Sequence, residues 1–210
     1  MKSPRLYVVL DRTASGGRDL DAILAAALDG GAEMIQLREK TLPSGTLFPL
    51  ARKLRARCRA AGVPFIVNDR VDLALAVDAD GVHLGQDDLP PAPARALLRP
   101  RMILGLSTHS VEQAKAAQAA GADYVAVGSM FPTTSKPEFQ LVGLALARHV
   151  RPVVQVPLIG IGGITPDNVA DVITAGADGV AVISAVCAAS DPAAATRRFV
   201  AAIAGARVGR

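Results

Sequence analysis

"TPDNVADVITAGADGVAVIS", residues 165–184, contains the pattern that decides the fold. Its first twelve residues are helix-like and close on Gly176, a favoured position for ending a helix. Ala177 and Asp178 then lead into "GVAVIS" (179–184), a β-branched run that reads as a strand. The same punctuation appears as "GAE" at 31–33 and "GAD" at 121–123. A chain built from one repeated supersecondary unit carries this kind of weak internal periodicity.

Further strand-like runs are "LYVVLD" (6–11), "MIQLR" (34–38), "PFIVND" (64–69), "GVHLG" (81–85), "MILGLS" (102–107), "YVAVGSM" (124–130) and "VPLIGIGG" (156–163). Between them lie Ala-rich helical stretches such as "LDAILAAALDGG", "LARKLRARCRAAG" and "SVEQAKAAQAAG". The reading is eight strands alternating with eight helices. Continuous apolar strands separated by helices imply a parallel sheet covered by helices. Eight such units predict an α/β fold, a single-domain (β/α)8 TIM barrel over residues 1–210, compact beside the usual size of about 250 residues. An open doubly wound sheet is the competing architecture. Against it, no GxGxxG follows the first strand, where a nucleotide-binding sheet would carry it.

Half of the 210 residues are hydrophobic, only 3% are aromatic, and the formal charge is +4. That surplus is small, Trp is absent, and few rings are available to stack on bases, so no nucleic-acid partner is expected. Arg52, Lys53, Arg55, Arg57 and Arg59 read as the solvated face of a helix. Cys58 and Cys187 stand far apart without metal-ligand spacing and read as reduced, partly buried thiols. No apolar run is long enough to span a bilayer, and no leader-like segment opens the chain. The expectation is a cytoplasmic protein with no membrane partner; the sequence leaves a homodimer open.

In a barrel of this kind the active site lies at the C-terminal ends of the strands. Those ends carry Gln36, Arg38 and Lys40, which share one strand face, then Asn68 and Asp69, and Gln86, Asp87 and Asp88. Ser107, "PTTSK" (132–136), "GIGGI" (160–164) and Ser184 follow. Arg38, Lys40 and Lys136 supply cations, while Ser107, Thr133 and Ser135 supply hydroxyls, which suits a ligand rich in phosphate oxygens. Asp69 and Asp88 fit Mg²⁺, which takes one or two carboxylates plus phosphate and water. Asp69 also reads as the N-cap of a helix starting near Val71, and spacing does not say which of Asp87 and Asp88 points inward. "GIGGITPDN" offers a second anion site, with Thr165 as N-cap and Pro166 early in the helix. Two phosphate sites suggest two phosphorylated substrates. His83, in mid-strand, reads as a packed, hydrogen-bonded histidine. His109 fits either a substrate contact or a helix start, and His149 a helix end.

Taken together, "LYVVLD", "QLREK", "PFIVNDRVDLAL", "GVHLGQDDLP", "GLSTHS", "PTTSK", "GIGGI" and "VIS" make the chain resemble the thiamine-phosphate synthase family over nearly its whole length. The resemblance implies a (β/α)8 enzyme that joins hydroxymethylpyrimidine pyrophosphate to a thiazole phosphate, giving thiamine phosphate and pyrophosphate. It assigns the pyrimidine pyrophosphate to Gln36, Arg38, Lys40, Asn68, Ser107 and Lys136, with Leu37 and Glu39 completing the "QLREK" segment. It assigns Mg²⁺ to Asp69 and Asp88. The thiazole phosphate falls to Thr133, Thr134, Ser135, the Gly163 backbone, Ile183 and Ser184. One departure is Ser135, where the family's P-T-x-T-K loop has a second Thr. A thiazole tautomerase or a non-catalytic sensor of the same fold are the alternatives; neither needs the carboxylate pair together with Arg38, Lys40 and Lys136. An aldolase-like barrel would need a lysine within a strand for a Schiff base, and the eight predicted strands hold none.

Overall fold

The β-branched runs do form strands, and alternation along each of them sorts side chains to two sides. In the computed structural model, which describes residues 3–133 and 141–208, the strands are β1 (Leu6–Asp11), β2 (Met34–Arg38), β3 (Phe65–Asn68), β4 (Gly81–Leu84), β5 (Ile103–Thr108), β6 (Tyr124–Gly128), β7 (Leu158–Ile161) and β8 (Gly179–Val182). All neighbours pair in parallel and in chain order, and β1 returns to β8, so the sheet is a closed barrel. Odd-numbered residues of β1 and even-numbered residues of β2 face inward. Tyr7, Val9 and Met34 therefore pack in the interior with Ile66, Tyr124, Ala126 and Ile159. Leu6, Val8, Leu10, Ile35 and Leu37 face the helices and join the larger outer core.

The helices are α1 (Leu20–Asp29), α2 (Ser44–Ala60), α3 (Val71–Ala76), α4 (Pro91–Leu97), α5 (Val111–Ala119), α6 (Gly143–Val150), α7 (Val169–Thr174), α8 (Ser184–Cys187) and α9 (Pro192–Val208). The described residues thus hold nine α-helices where the sequence reading has eight. The surplus is α8, a single turn leaving the end of β8 before α9 packs against α1 and α7. The second helix also starts earlier than its Ala-rich stretch, at Ser44, and takes Pro49 into its interior.

Two helix starts differ from the sequence reading. Asp69 does not cap α3, whose N-cap position is Arg70; its backbone is instead left-handed, at φ 62°. Thr165 does not cap α7. Asn168 folds back, accepting from Thr165 N at 2.8 Å and donating to Gly163 O at 3.1 Å, and this holds the segment as a turn until Val169. The basic face of α2 is partly anchored: Lys53 and Arg57 pair with the buried Asp21 of α1, and Arg55 pairs with Asp80. Cys58 and Cys187 are free and buried, and burial pushes their thiols up to about 12 and about 11.

Candidate active site

Parallel closure sends every strand's carbonyl end to one rim, and two clefts open there. The first, of 410 Å³, lies over β2 to β5 and is lined by Arg38, Lys40, Asn68, Asp69, Asp88 and Ser107, together with His83, Gly85, Gln86, Asp87 and His109. The side chains hold one another in place. Arg38, largely buried, pairs with Asp11, its register partner on β1. Asp11 in turn accepts from Ala14 N at 2.8 Å. Lys40, 55% exposed, reaches Asp69 at 3.1 Å.

Asp88 is half-buried and accepts from Gly85 N at 2.7 Å, whereas Asp87 is exposed. Asp88 is the carboxylate that acts on Asp69, while Asp87 lies more exposed on the same cleft wall. Burial first, and the neighbouring Asp88 second, raise the Asp69 carboxyl above the ordinary carboxylate range, against the pull of Lys40. Two carboxylates held together in a half-buried cleft repel one another, and a divalent cation would relieve that repulsion. Among the described residues no cluster of three or more His, Cys, Asp or Glu converges. A cation here would draw its other ligands from substrate oxygens and water, the coordination Mg²⁺ favours. The donor set fits that ion.

Other residues of "QLREK" sit apart from the open cleft. Gln36 is buried in the interior and donates to Tyr7 Oη. The Leu37 side chain packs in the outer core, leaving only its backbone for a ligand. Glu39 ties down its own loop, accepting from Thr41 N and Oγ1 at 2.7 Å and from Leu42 N at 3.1 Å. Burial works against ionising Glu39, but these bonds and Arg12 together hold its carboxyl below the usual range.

The second cleft, of 590 Å³, lies beyond β6 to β8 and is lined by Pro132, Thr133, Gly163, Ile164, Thr165, Ser184 and Ala185. It brings together Thr133, Gly163 and Ser184, which are far apart in the chain, while Ile183 points into the barrel interior beneath. Gly162 and Gly163 both adopt left-handed backbone, at φ 99° and 64°. A Cβ on Gly163 would lie 2.4 Å from Pro132 O, so only glycine lets these two loops pack together. Thr134, Ser135 and Lys136 lie outside the described residues.

Sequence reasoning missed Asp11, though its position at a strand end on the same rim was a usable signal. It also left His83 as a packed histidine. His83 is packed, but it lines the first cleft as well, with Nε2 2.8 Å from Ser107 Oγ. Gln86 steadies the same strand end by donating to Ser107 O at 2.6 Å, and the His109 ring lies 2.6 Å from Gly128 O.

The chain is similar to known proteins over most of its length. The family model described as thiamine monophosphate synthase matches residues 6–186. A thiamine-phosphate synthase of Moorella thermoacetica is 53% identical over 195 residues, covering 92% of this chain and 93% of that protein. One from a Roseiflexus species is 53% identical over 202 residues, covering 96% and 86%. Among solved structures, a thiamine phosphate pyrophosphorylase from Pyrococcus furiosus superposes with a TM-score of 0.89 at 40% identity, covering 96% of both chains.

Proposed function

The chain belongs to the thiamine-phosphate synthase family, and from that premise we propose that it joins hydroxymethylpyrimidine pyrophosphate to a thiazole phosphate, releasing pyrophosphate. The observation that carries the reading is the Asp69–Asp88 pair beside Arg38 and Lys40 in one cleft, with a second cleft on the same rim whose described lining carries no charged side chain.

In the first cleft Arg38, Lys40, Asn68 and Ser107 hold the pyrophosphate end of the pyrimidine substrate, with Gln36 beneath. Lys136 is assigned the same task by its motif. Asp69 and Asp88 would hold Mg²⁺, which when bound would supply positive charge to balance the pyrophosphate. In the second cleft Thr133, the Gly163 backbone and Ser184 hold the thiazole phosphate, Ile183 supports it from below, and Thr134 and Ser135 join them by motif.

The reaction breaks one C–O bond and forms one C–N bond. The carbon that pyrophosphate leaves is benzylic to an electron-rich aminopyrimidine, so the bond to pyrophosphate breaks early and negative charge grows on the leaving group. Arg38, Lys40 and Lys136 stabilise that charge. The thiazole nitrogen attacks without losing a proton, and no general base is required. Holding the two substrates face to face supplies much of the remainder. The enzyme is proposed to work in the cytoplasm; no helix among the described residues is long and apolar enough to cross a membrane.

The test is pyrophosphate release from the two substrates, with and without Mg²⁺, for the wild type and Asp88→Ala. Release that needs both substrates and the metal, and that falls about a hundredfold or more in the variant, is the expected outcome. Absence of release from folded wild-type protein would overturn the reading and direct attention to thiazole tautomerisation.

A further inference from the structure

A row of polar side chains crosses the apolar interior of the barrel from β2 to β5. Gln36 Nε2 donates to Tyr7 Oη. Tyr7 Oη lies 3.0 Å from Tyr124 Oη, Tyr124 Oη 2.8 Å from His83 Nδ1, and His83 Nε2 2.8 Å from Ser107 Oγ. Tyr7 and Tyr124 are fully buried and meet edge to face at 5.9 Å, while the His83 ring stacks on Tyr124 at 5.6 Å. The site is built for them: Gly105 of β5 lies where a Cβ would fall 2.0 Å from Tyr124 Cζ.

The row has a direction, because each hydroxyl and a neutral imidazole carry one proton apiece. Tyr7 accepts from Gln36, and in this buried setting its own proton is satisfied only by going to the neighbouring Tyr124 Oη, the direction the row requires. The Tyr124 proton then goes to His83 Nδ1, so the imidazole proton sits on Nε2 and is donated to Ser107 Oγ. The Ser107 proton is thereby free to point into the cleft that Ser107 lines. Burial pushes both phenols well above their ordinary range, so they keep their protons throughout. In a reversed row Ser107 would donate back to His83 and turn only lone pairs toward the cleft, a poor face for a pyrophosphate.

We propose that Tyr7, Tyr124 and His83 are positioning residues, whose hydrogen-bonded row carries the donor direction of the buried Gln36 amide across the barrel and fixes Ser107 as a donor to the bound substrate. The role rests on the reading of Ser107 as a contact to the pyrimidine pyrophosphate, but the direction of the row can be measured without any substrate.

The experiment is ¹⁵N NMR of protein labelled at histidine, with the His83 signals identified by their loss in His83→Gln. The wild type shows a single neutral tautomer protonated on Nε2. Tyr7→Phe cuts the row one link away from His83, leaving the atoms that touch the imidazole unchanged, and gives a mixture of both tautomers. A wild-type ring protonated on Nδ1, or a Tyr7→Phe ring that stays wholly on Nε2, overturns the proposal. If Tyr7→Phe does not fold, Gln36→Met removes the source of direction and is read against the same two outcomes. In kinetics, Tyr7→Phe raises KM for the pyrimidine pyrophosphate by about fivefold, the worth of one hydrogen bond, with KM for the thiazole phosphate unchanged. Equal changes in both would mean mere loosening of the barrel and would overturn the role. An absence of pyrophosphate release in the wild type would instead sink the reaction and leave the direction of the row standing.

Discussion

The cleft over β2 to β5 is lined by charged side chains that grip one another, while the described lining of the cleft beyond β6 to β8 consists of hydroxyls, aliphatic groups and glycine backbone. In the first, geometry is stored in pairs: Arg38 with Asp11, Lys40 with Asp69, Asp88 with the Gly85 amide. In the second it is stored in two left-handed glycines and a turn closed by Asn168. A site that must stabilise charge appearing during reaction needs fixed ions. A site that only holds a phosphate already charged can rely on backbone and hydroxyls. Substitutions on the two sides should therefore leave different signatures.

The largest effect is expected from Gly163→Ala. The added methyl meets Pro132 O and the backbone must keep φ near 64°. Shifting the loop by about 1 Å should lower kcat/KM for the thiazole phosphate by roughly a hundredfold. Titration of the pyrimidine pyrophosphate should be unaffected; a parallel loss of its affinity would break the separation between the clefts.

A smaller effect follows at the charged cleft. Asp11→Asn keeps a hydrogen bond to Arg38 but removes its countercharge. Steady-state kinetics should show kcat/KM for the pyrimidine pyrophosphate reduced by about tenfold, the scale of one charge-assisted hydrogen bond, with the thiazole side unchanged. An Asp11→Asn enzyme with wild-type kinetics would mean that Arg38 needs no orienting partner.

The smallest effect is on stability and has the opposite sign to the effect on activity. The Asp69 carboxyl is raised in the folded protein by burial and by Asp88, so its ionised form weakens the fold. That penalty is complete at pH values above its raised pKa and fades as pH falls through it toward the ordinary carboxylate range. In chelator at pH 8, Asp69→Asn should melt roughly one or two degrees higher than the wild type, a modest shift because the cleft is partly solvated. The advantage should vanish in acid, and Asn tolerates the left-handed backbone. Thermal melts at both pH values check the sign; a lower melting point at pH 8 would show that the Lys40 pair outweighs the repulsion.

The barrel was legible because strand and helix periods alternate cleanly and "GAE" and "GAD" mark three of the junctions. The residues of the charged cleft were legible for a related reason: Arg38, Asn68, Asp69 and Asp88 are polar groups at the ends of apolar strands, where packing gives no cause for them. Asp11 belongs to the same class, but as the last residue of "LYVVLD" it reads as strand punctuation until its register partner is known to be Arg38. Thr165 misleads because local sequence favours a cap, while Asn168 makes bonds to the loop that only the folded turn reveals. The direction of the Gln36–Ser107 row is hidden altogether. It depends on five residues from five strands and on a glycine whose missing side chain makes room for a phenol.

Closure of the barrel has a consequence for how the chain is made. The seam between first and last strands rests on three register pairs, Leu6 with Val180, Tyr7 with Ala181 and Val8 with Val182. Ribosomal synthesis adds about 5–20 residues each second. The outer edge of β1 therefore waits roughly 10–35 s for the partner that will cover its hydrogen-bonding groups. Until β8 emerges, the outer edge of β1 has no native partner, and an unpaired strand edge of this kind is a template for pairing with a neighbouring chain.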